Sequence, residues 1–202
     1  MLRVIQNGAS SSQARREPEL DAALLARCAA GDHAAFRVFV ERYQVVVFAL
    51  LSRLAGRGPH VEDLAQETFV RAYHALPGFD GAGSARLSTW LLTIGTRVAC
   101  DARRKSNSSR AHALELVRSA PPPGPASPEH MSARHELMSA IQSAAAELPE
   151  DQRIAFVLSE FHDFSLAEIA EALGTPESTV KTRLFRARQK LAHALSPYKE
   201  GL

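Results

Sequence analysis

Between Ser178 and Leu195 the chain carries Lys181, Arg183, Arg186, Arg188 and Lys190 and no acid. The preceding stretch, 136–177, holds Glu136, Glu147, Glu150, Asp151, Glu160, Asp163, Glu168, Glu171 and Glu177 against Arg153 alone. Five cations on one helical segment, set against an acidic neighbour, suit contact with phosphate better than a uniformly solvated face does. Glu177, Ser178, Thr179, Lys181, Thr182 and Arg183, at the start of that segment, offer donors and acceptors to base edges, with Arg186, Arg188 and Lys190 placed to hold phosphates. Two other groupings stand in the first half. Glu62, Asp63, Gln66 and Glu67 form i,i+4 rows opposite an apolar face, a pattern equally expected of acids solvated in a first helical turn. The stretch PGFDGAGSARLSTW, with Arg97, Arg103, Arg104 and Lys105 beyond it, brings aromatic, hydroxyl and cationic groups where unstacked bases could be held. Trp90 falls at core spacing with Leu91 and Ile94, whereas Phe79, in a glycine-rich loop, is less easily explained by packing.

No nucleophile with its base, metal-ligand cluster or phosphate-cradling glycine loop is present, so no catalytic residue, metal or cofactor is expected. The eight histidines are scattered, and the paired carboxylates have no apolar pocket to raise a pKa.

The segments that must position these residues read as helices throughout. Leu24, Leu25 and Cys28, then Phe36, Phe39, Val40, Tyr43, Val47, Leu50, Leu51 and Leu54, recur at helical spacing on either side of a Gly-Asp-His break. Gly56, Gly58 and Pro59 end the second run, and Val61, Leu64, Ala65, Phe69, Ala72, Tyr73 and Leu76 begin a third. Ser88 or Thr89 can cap a fourth helix whose inner face is Trp90, Leu91, Ile94 and Val98 and which ends in Arg103, Arg104 and Lys105. Further helical patterns lie near 133–147, 150–161, 165–173 and 178–194. In the last two, Leu166, Ile169, Ala170 and Leu173 meet Val180, Leu184, Ala187 and Leu191 across Gly174, which is helix-turn-helix spacing: Ala170 is small enough for a close crossing and Val180 fills the angle.

With 202 residues, 46% of them hydrophobic, the chain can bury a core, and its net charge of +2 means that attraction to nucleic acid must come from local patches. Cys28 and Cys100 make no framework, VVVFALL at 45–51 is far short of the ~20 residues a membrane span needs, and the N-terminus has no secretory signature, so a cytoplasmic protein without membrane insertion is expected. The expected organisation is all-α: a disordered tail at 1–18, a helical domain at 19–105, a linker at 106–132 crowded by Pro121, Pro122, Pro123, Pro125 and Pro128, and a second helical domain at 133–202. At ~3.3 Å per residue, residues 106–129 alone could reach roughly 80 Å, more than two ~34 Å turns of B-DNA.

The stretches VEDLAQETFVRAYHALPGFDGAGSARLSTWLLTIGTRVACDARRK and LPEDQRIAFVLSEFHDFSLAEIAEALGTPESTVKTRLFRARQKLA resemble domains 2 and 4 of the extracytoplasmic-function (ECF) sigma factors, the minimal bacterial initiation factors. The resemblance covers both domains and fails only in the tail and linker. It implies that Glu62, Asp63, Gln66 and Glu67 dock on the β′ clamp helices of core RNA polymerase. It also implies that Phe79, Asp80, Ser84, Arg86, Ser88, Thr89, Trp90 and Arg97, with Arg103, Arg104 and Lys105 beyond them, capture and melt the −10 element of promoter DNA. The domain 4 helix would read the −35 element beside the β flap, and an anti-sigma factor is an expected partner. Thr93 and Thr96 stand where the family commonly has basic residues, which would weaken or redistribute phosphate contacts near −10. The rival reading is a free-standing helix-turn-helix regulator with a helical sensing or dimerisation domain. A long proline-rich tether would not hold two half-sites in fixed register, and the LSTW segment equips the first domain with its own nucleic-acid surface.

Overall fold

The computed structural model describes residues 20–56, 58–80, 86–113, 140–141 and 143–196, with no strand among them. The tail at 1–18, Ser84 and most of the expected linker lie outside the described residues. Helix α1 spans Ala22–Ala29 and α2 spans His33–Ala55. Asp21 caps α1 through the Leu24 N–H at 2.8 Å, and Asp32 caps α2 through Ala34 and Ala35 N–H at 2.9 and 3.1 Å. The Ala35 amide, helped by the Arg27 guanidinium, holds the Asp32 carboxyl below its usual range, so this cap stays ionised.

Helix α3, His60–Ala75, opens where Gly58 and Pro59 end the preceding chain and closes in a 3₁₀ turn at Leu76–Gly78. Helix α4 spans Leu87–Ala113. It begins before Ser88 and Thr89, which sit in its first turn instead of capping it. At its far end it runs eight residues beyond Lys105, so the first part of the expected linker is helical: SNSSRAHA contains no breaker, and the prolines begin only at 121. Helices α2, α3 and α4 pack pairwise around Phe39, Tyr43, Val47, Leu50, Leu64, Phe69, Leu91 and Val98. Gly95 sits at the closest approach, where a Cβ would come within 3.3 Å of the Leu50 side chain. The buried hydroxyls of Thr68 and Thr96 donate to the carbonyls of Leu64 and Leu92 at 2.7 and 2.8 Å, so neither is left unsatisfied.

In the second half, helical residues within 140–146 lead into α5, Glu150–His162, followed by α6, Leu166–Leu173, and α7, Glu177–Ala194. A capping box starts α6: Ser165 Oγ accepts from the Glu168 N–H, and Glu168 accepts from the Ser165 N–H. Gly174 ends it in the left-handed conformation, φ 60° and ψ 39°, which turns the chain directly into α7.

Seven consecutive residues of α5, Gln152 to Leu158, are buried. A helix buried all round needs neighbours on every side. Helices α6 and α7 and the 140–148 segment cover part of α5, while α2 covers the rest, and α6 packs on α4. Ile154, Val157, Leu158 and Ile169 therefore belong to the same buried cluster as Phe39, Leu50 and Leu91. The two halves expected from the sequence are docked on each other. Arg53 of α2 lies over the Phe161 ring at 4.6 Å, and Arg103 of α4 pairs with Glu150 of α5 at 3.3 Å. Next to Phe161, His162 keeps its Nε2 shut off from solvent with no hydrogen-bond partner. Burial, reinforced by the Arg53 charge and opposed by Asp163, pushes its pKa down to about 4.

The folded protein thus refuses a proton that the unfolded chain accepts near 6.5, so stability is full above that pH and falls as pH drops from 6.5 towards 4. Thermal unfolding midpoints should decline across that window, with the decline flattened in His162→Gln. Removing the α6 cap with Ser165→Ala should cost about 1 kcal/mol in denaturant unfolding.

Candidate nucleic-acid interface

Helix α7 presents two unlike faces. Val180, Leu184, Ala187 and Leu191 are buried against α5 and α6. Ser178, Lys181, Thr182, Arg186, Gln189 and Lys190 are exposed, as is Glu177. Thr179 and Arg183 are half-buried. Two of the five cations are engaged in ion pairs: Arg183 Nε donates to Asp151 at 3.1 Å, and Arg188, itself exposed, donates to Glu160 at 2.6 Å. Both acids lie on α5, so these pairs brace α7 on its support. Arg183, expected from the sequence among the base-reading residues, is instead turned partly inward, while Lys181, Arg186 and Lys190 face outward beside the paired Arg188.

Among them stands Phe185, 68% exposed, which the sequence reading passed over. It lies next to Leu184 in the chain but outside the Val180–Leu184–Ala187–Leu191 face, and it falls one turn after Lys181 and Thr182. That misfit with the apolar periodicity was the available signal.

On α3, Glu62, Asp63 and Gln66 are exposed, while Glu67 is half-buried and accepts from Arg71 at 2.5 Å. Arg71 also bonds Asp101 of α4 at 3.0 Å, so Glu67 is part of the α3–α4 seam. Val70, 49% exposed, extends the outward row one turn past Gln66 and Glu67 and two past Asp63.

At the start of α4, Phe79 and Trp90 pack together with ring centroids 5.0 Å apart, both half-buried against the core. Trp90 is thus neither fully core nor a bare platform, and Phe79, although in the loop, has a packing partner. Asp80 and Arg86 are exposed; Ser88 and Thr89 are half-buried. At 100° per residue, Trp90, Thr93, Arg97 and Arg104 line one stripe of α4, with Arg97, Arg104 and the adjacent Lys105 exposed. Arg103 points away from that stripe, into its pair with Glu150. Thr93 Oγ1 donates to the Thr89 carbonyl at 2.9 Å on the open stripe, but Thr96 is fully buried. Of the two positions where the resemblance expects basic residues, Thr96 therefore faces the helix bundle and has no route to a phosphate. No group of three or more His, Cys, Asp or Glu that could hold a metal ion occurs among the described residues.

Residues 39–109 match the family model for sigma-70 region 2, and residues 138–191 match that for sigma-70 region 4. The chain is 32% identical over 194 residues to the RNA polymerase sigma-H factor of Pseudomonas aeruginosa, covering 89% of this chain and 95% of that protein. It is 34% identical over 192 residues to the ECF RNA polymerase sigma-E factor of Escherichia coli K12, covering 88% and 95%. The chain belongs to the ECF sigma factors. It is an alternative sigma factor, a DNA-binding initiation factor that directs transcription by RNA polymerase.

Solved structures share the sigma factor's fold. The sigma factor RpoE of Bartonella quintana, in complex with the anti-sigma factor NepR, matches with a TM-score of 0.64 at 24% identity over 79% of this chain and 96% of that one. CnrH, in complex with the cytosolic domain of CnrY, matches with a TM-score of 0.59 at 26% identity over 86% and 96%.

The two threonines of α4 separate under substitution. Thr93→Arg, on the open stripe, should leave the thermal midpoint nearly unchanged. Thr96→Arg, which puts a guanidinium in the core, should cost more than about 3 kcal/mol in denaturant unfolding.

Proposed function

We propose that the sigma factor divides its work between its two halves, with residues 19–105 serving polymerase binding and the −10 element and residues 133–202 serving the −35 element. The observation that carries this reading is the outward row Ser178, Lys181, Thr182, Phe185 and Arg186 on the second helix of a helix-turn-helix, backed by inward ion pairs that set its orientation. In the major groove, Ser178, Lys181, Thr182 and Arg186 supply hydrogen bonds and charge, and Phe185 supplies an apolar surface for a thymine methyl. Arg183 and Arg188 act mainly by holding the helix against α5.

On the other half, Arg97, Arg104 and Lys105 attract the phosphates of the −10 strand, while Arg86, Thr89 and the Phe79–Trp90 pair lie at the mouth of the loop where unstacked bases would enter. Glu62, Asp63 and Gln66, with Val70 among them, form the face for the β′ clamp helices; Glu67 contributes by fixing α3 to α4. The second half lies beside the β flap. The protein works by binding single-stranded and duplex DNA together with polymerase and performs no covalent chemistry of its own. A cytoplasmic setting follows from that task, and no helix among the described residues is long and apolar enough to cross a membrane. An anti-sigma factor is the partner expected to restrain it, as NepR is bound to the Bartonella protein.

Gel filtration with sigma-free core polymerase tests the assignment. The protein should co-elute stoichiometrically and be competed by another sigma factor. Asp63→Lys should weaken co-elution at unchanged helicity, whereas normal co-elution of that variant would remove α3 from the interface. On −35 duplex, Arg186→Ala should reduce the slope of log affinity against log salt by about 1, and Arg183→Ala should change it little. A larger change for Arg183→Ala would reverse their roles.

A further inference from the structure

Five large apolar residues are exposed among the described residues: Val38, Val45, Phe48, Val70 and Phe185. Val70 belongs to the outward row of α3 and Phe185 to the outer face of α7, whereas Val38, Val45 and Phe48 all lie on α2 and have no part in any surface described above. Exposed apolar residues scattered singly are normal, but a contiguous set marks a contact surface. Helix α2 already buries Phe39, Tyr43, Val47, Leu50 and Leu54 on its other side, where α1, α3, α4 and α5 pack. At 100° per residue its outer row runs through Ala34, Val38, Glu41 with Arg42, Val45 and Ala49, nearly opposite the centre of the buried face. Val45 is 73% exposed and Val38 45%. A helix that is apolar on two opposed sides calls for a neighbour on each.

The outer row reads the same in both directions. About the point midway between Glu41 and Arg42, Val38 and Val45 are equidistant, and so are Ala34 and Ala49. A two-fold axis through that point lays a second α2 antiparallel on the first. Val38 then meets Val45 of the second copy, Ala34 meets its Ala49 and Glu41 meets its Arg42, and every one of these contacts occurs twice. A parallel pair in register would instead set Glu41 on Glu41. Among the described residues Val38, Glu41, Arg42 and Val45 line a shallow hollow, and their i, i+3, i+4, i+7 spacing is that of the four-residue hole into which a facing helix packs.

We propose that this face is an interface between two copies of the chain, an antiparallel and two-fold symmetric pair of α2 helices whose register is set by Glu41 and Arg42. The valines exclude water from the seam, and the exposed ion pairs contribute orientation more than affinity. His33 of one copy reaches Leu50 of the other, so the overlap is about 27 Å of helix. A single helix pair of that length buries less than the ~800 Å² per partner of a standard interface, which makes the dimer weak and concentration-dependent. None of the residues assigned to polymerase or DNA takes part in it.

Sedimentation velocity of the full chain, run from about 5 to 500 µM, tests the dimer. Wild type should shift from monomer towards dimer across that range. Val45→Glu, at an exposed position, should weaken association by about 10-fold or more at unchanged helicity, since the acid enters the seam twice. The same variant should still co-elute with sigma-free core polymerase. Glu41→Arg and Arg42→Glu should each associate less than wild type, because like charges face each other. An equimolar mixture of those two variants should regain dimer, because every facing pair in the mixed dimer is of opposite sign. A wild type that stays monomeric at the highest concentration overturns the proposal and leaves the face to a different partner, such as a helix of a regulator. A dimer indifferent to Val45→Glu overturns it too, as does a mixture no more associated than either variant alone. If Val45→Glu keeps its helicity but loses polymerase, the face belongs to polymerase and the proposal fails. Should Val45→Glu lose helicity, Val45→Ala carries the same comparison. If wild type itself fails to bind polymerase, it is the functional assignment that falls, while sedimentation still decides the dimer.

Discussion

Helix α5 has more buried surface than its own half of the protein can cover. From Gln152 to Leu158 every residue is shielded, and Ile154, Val157 and Leu158 share one buried cluster with Phe39, Leu50 and Leu91 from the first half. Burying that flank removes apolar area from water at roughly 25 cal/mol per Å², which draws α5 onto α2 and brings α6 onto α4. The cation–π contact at Phe161, the ion pair at Arg103 and the desolvated ring of His162 all follow from that docking.

Charge is distributed by the same logic. The acids of α5 do not merely offset the cations of α7; Asp151 and Glu160 draw Arg183 and Arg188 inward, and Glu150 draws Arg103 across the seam. What remains outward is a smaller set, Lys181, Arg186 and Lys190 on α7 and Arg97, Arg104 and Lys105 on α4. On α3 the bridge from Arg71 to Glu67 and Asp101 likewise converts an outward-looking acid into a fixed part of the α3–α4 seam. Each surface pair is weak alone, of the order of 0–1 kcal/mol, so its effect is to orient side chains and helices more than to add stability.

The helices themselves were legible because each carries its own local signals: apolar residues at 3.6-residue spacing, Asp21, Asp32 and Ser165 as caps, and Gly174 at a position that requires positive φ. The helix-turn-helix was legible for the same reason, since it is set within about thirty residues, and the charge contrast over 136–195 is legible from composition alone. Less legible was the end of α4. The residues after Lys105 are polar without being helix breakers, so a change in composition resembled a boundary where the backbone continues helical to Ala113. Phe185 was missed because an apolar residue beside an apolar stripe reads as part of it until the face is resolved.

Which segments are helical, where the turn residues fall, that the chain is all-α and that the second helix of its helix-turn-helix is basic against an acidic background were all readable in the residues themselves. Periodicity, capping and charge act between near neighbours, and near neighbours in the chain are what a sequence displays. Helix packing settled that Thr96 is buried while Thr93 is not, that Arg183 faces Asp151 while Arg186 faces outward, and that Arg53 and Phe161, more than a hundred positions apart, meet. These outcomes depend on which helix faces find each other, and that choice is made by the shape and total apolar area of surfaces assembled from distant parts of the chain.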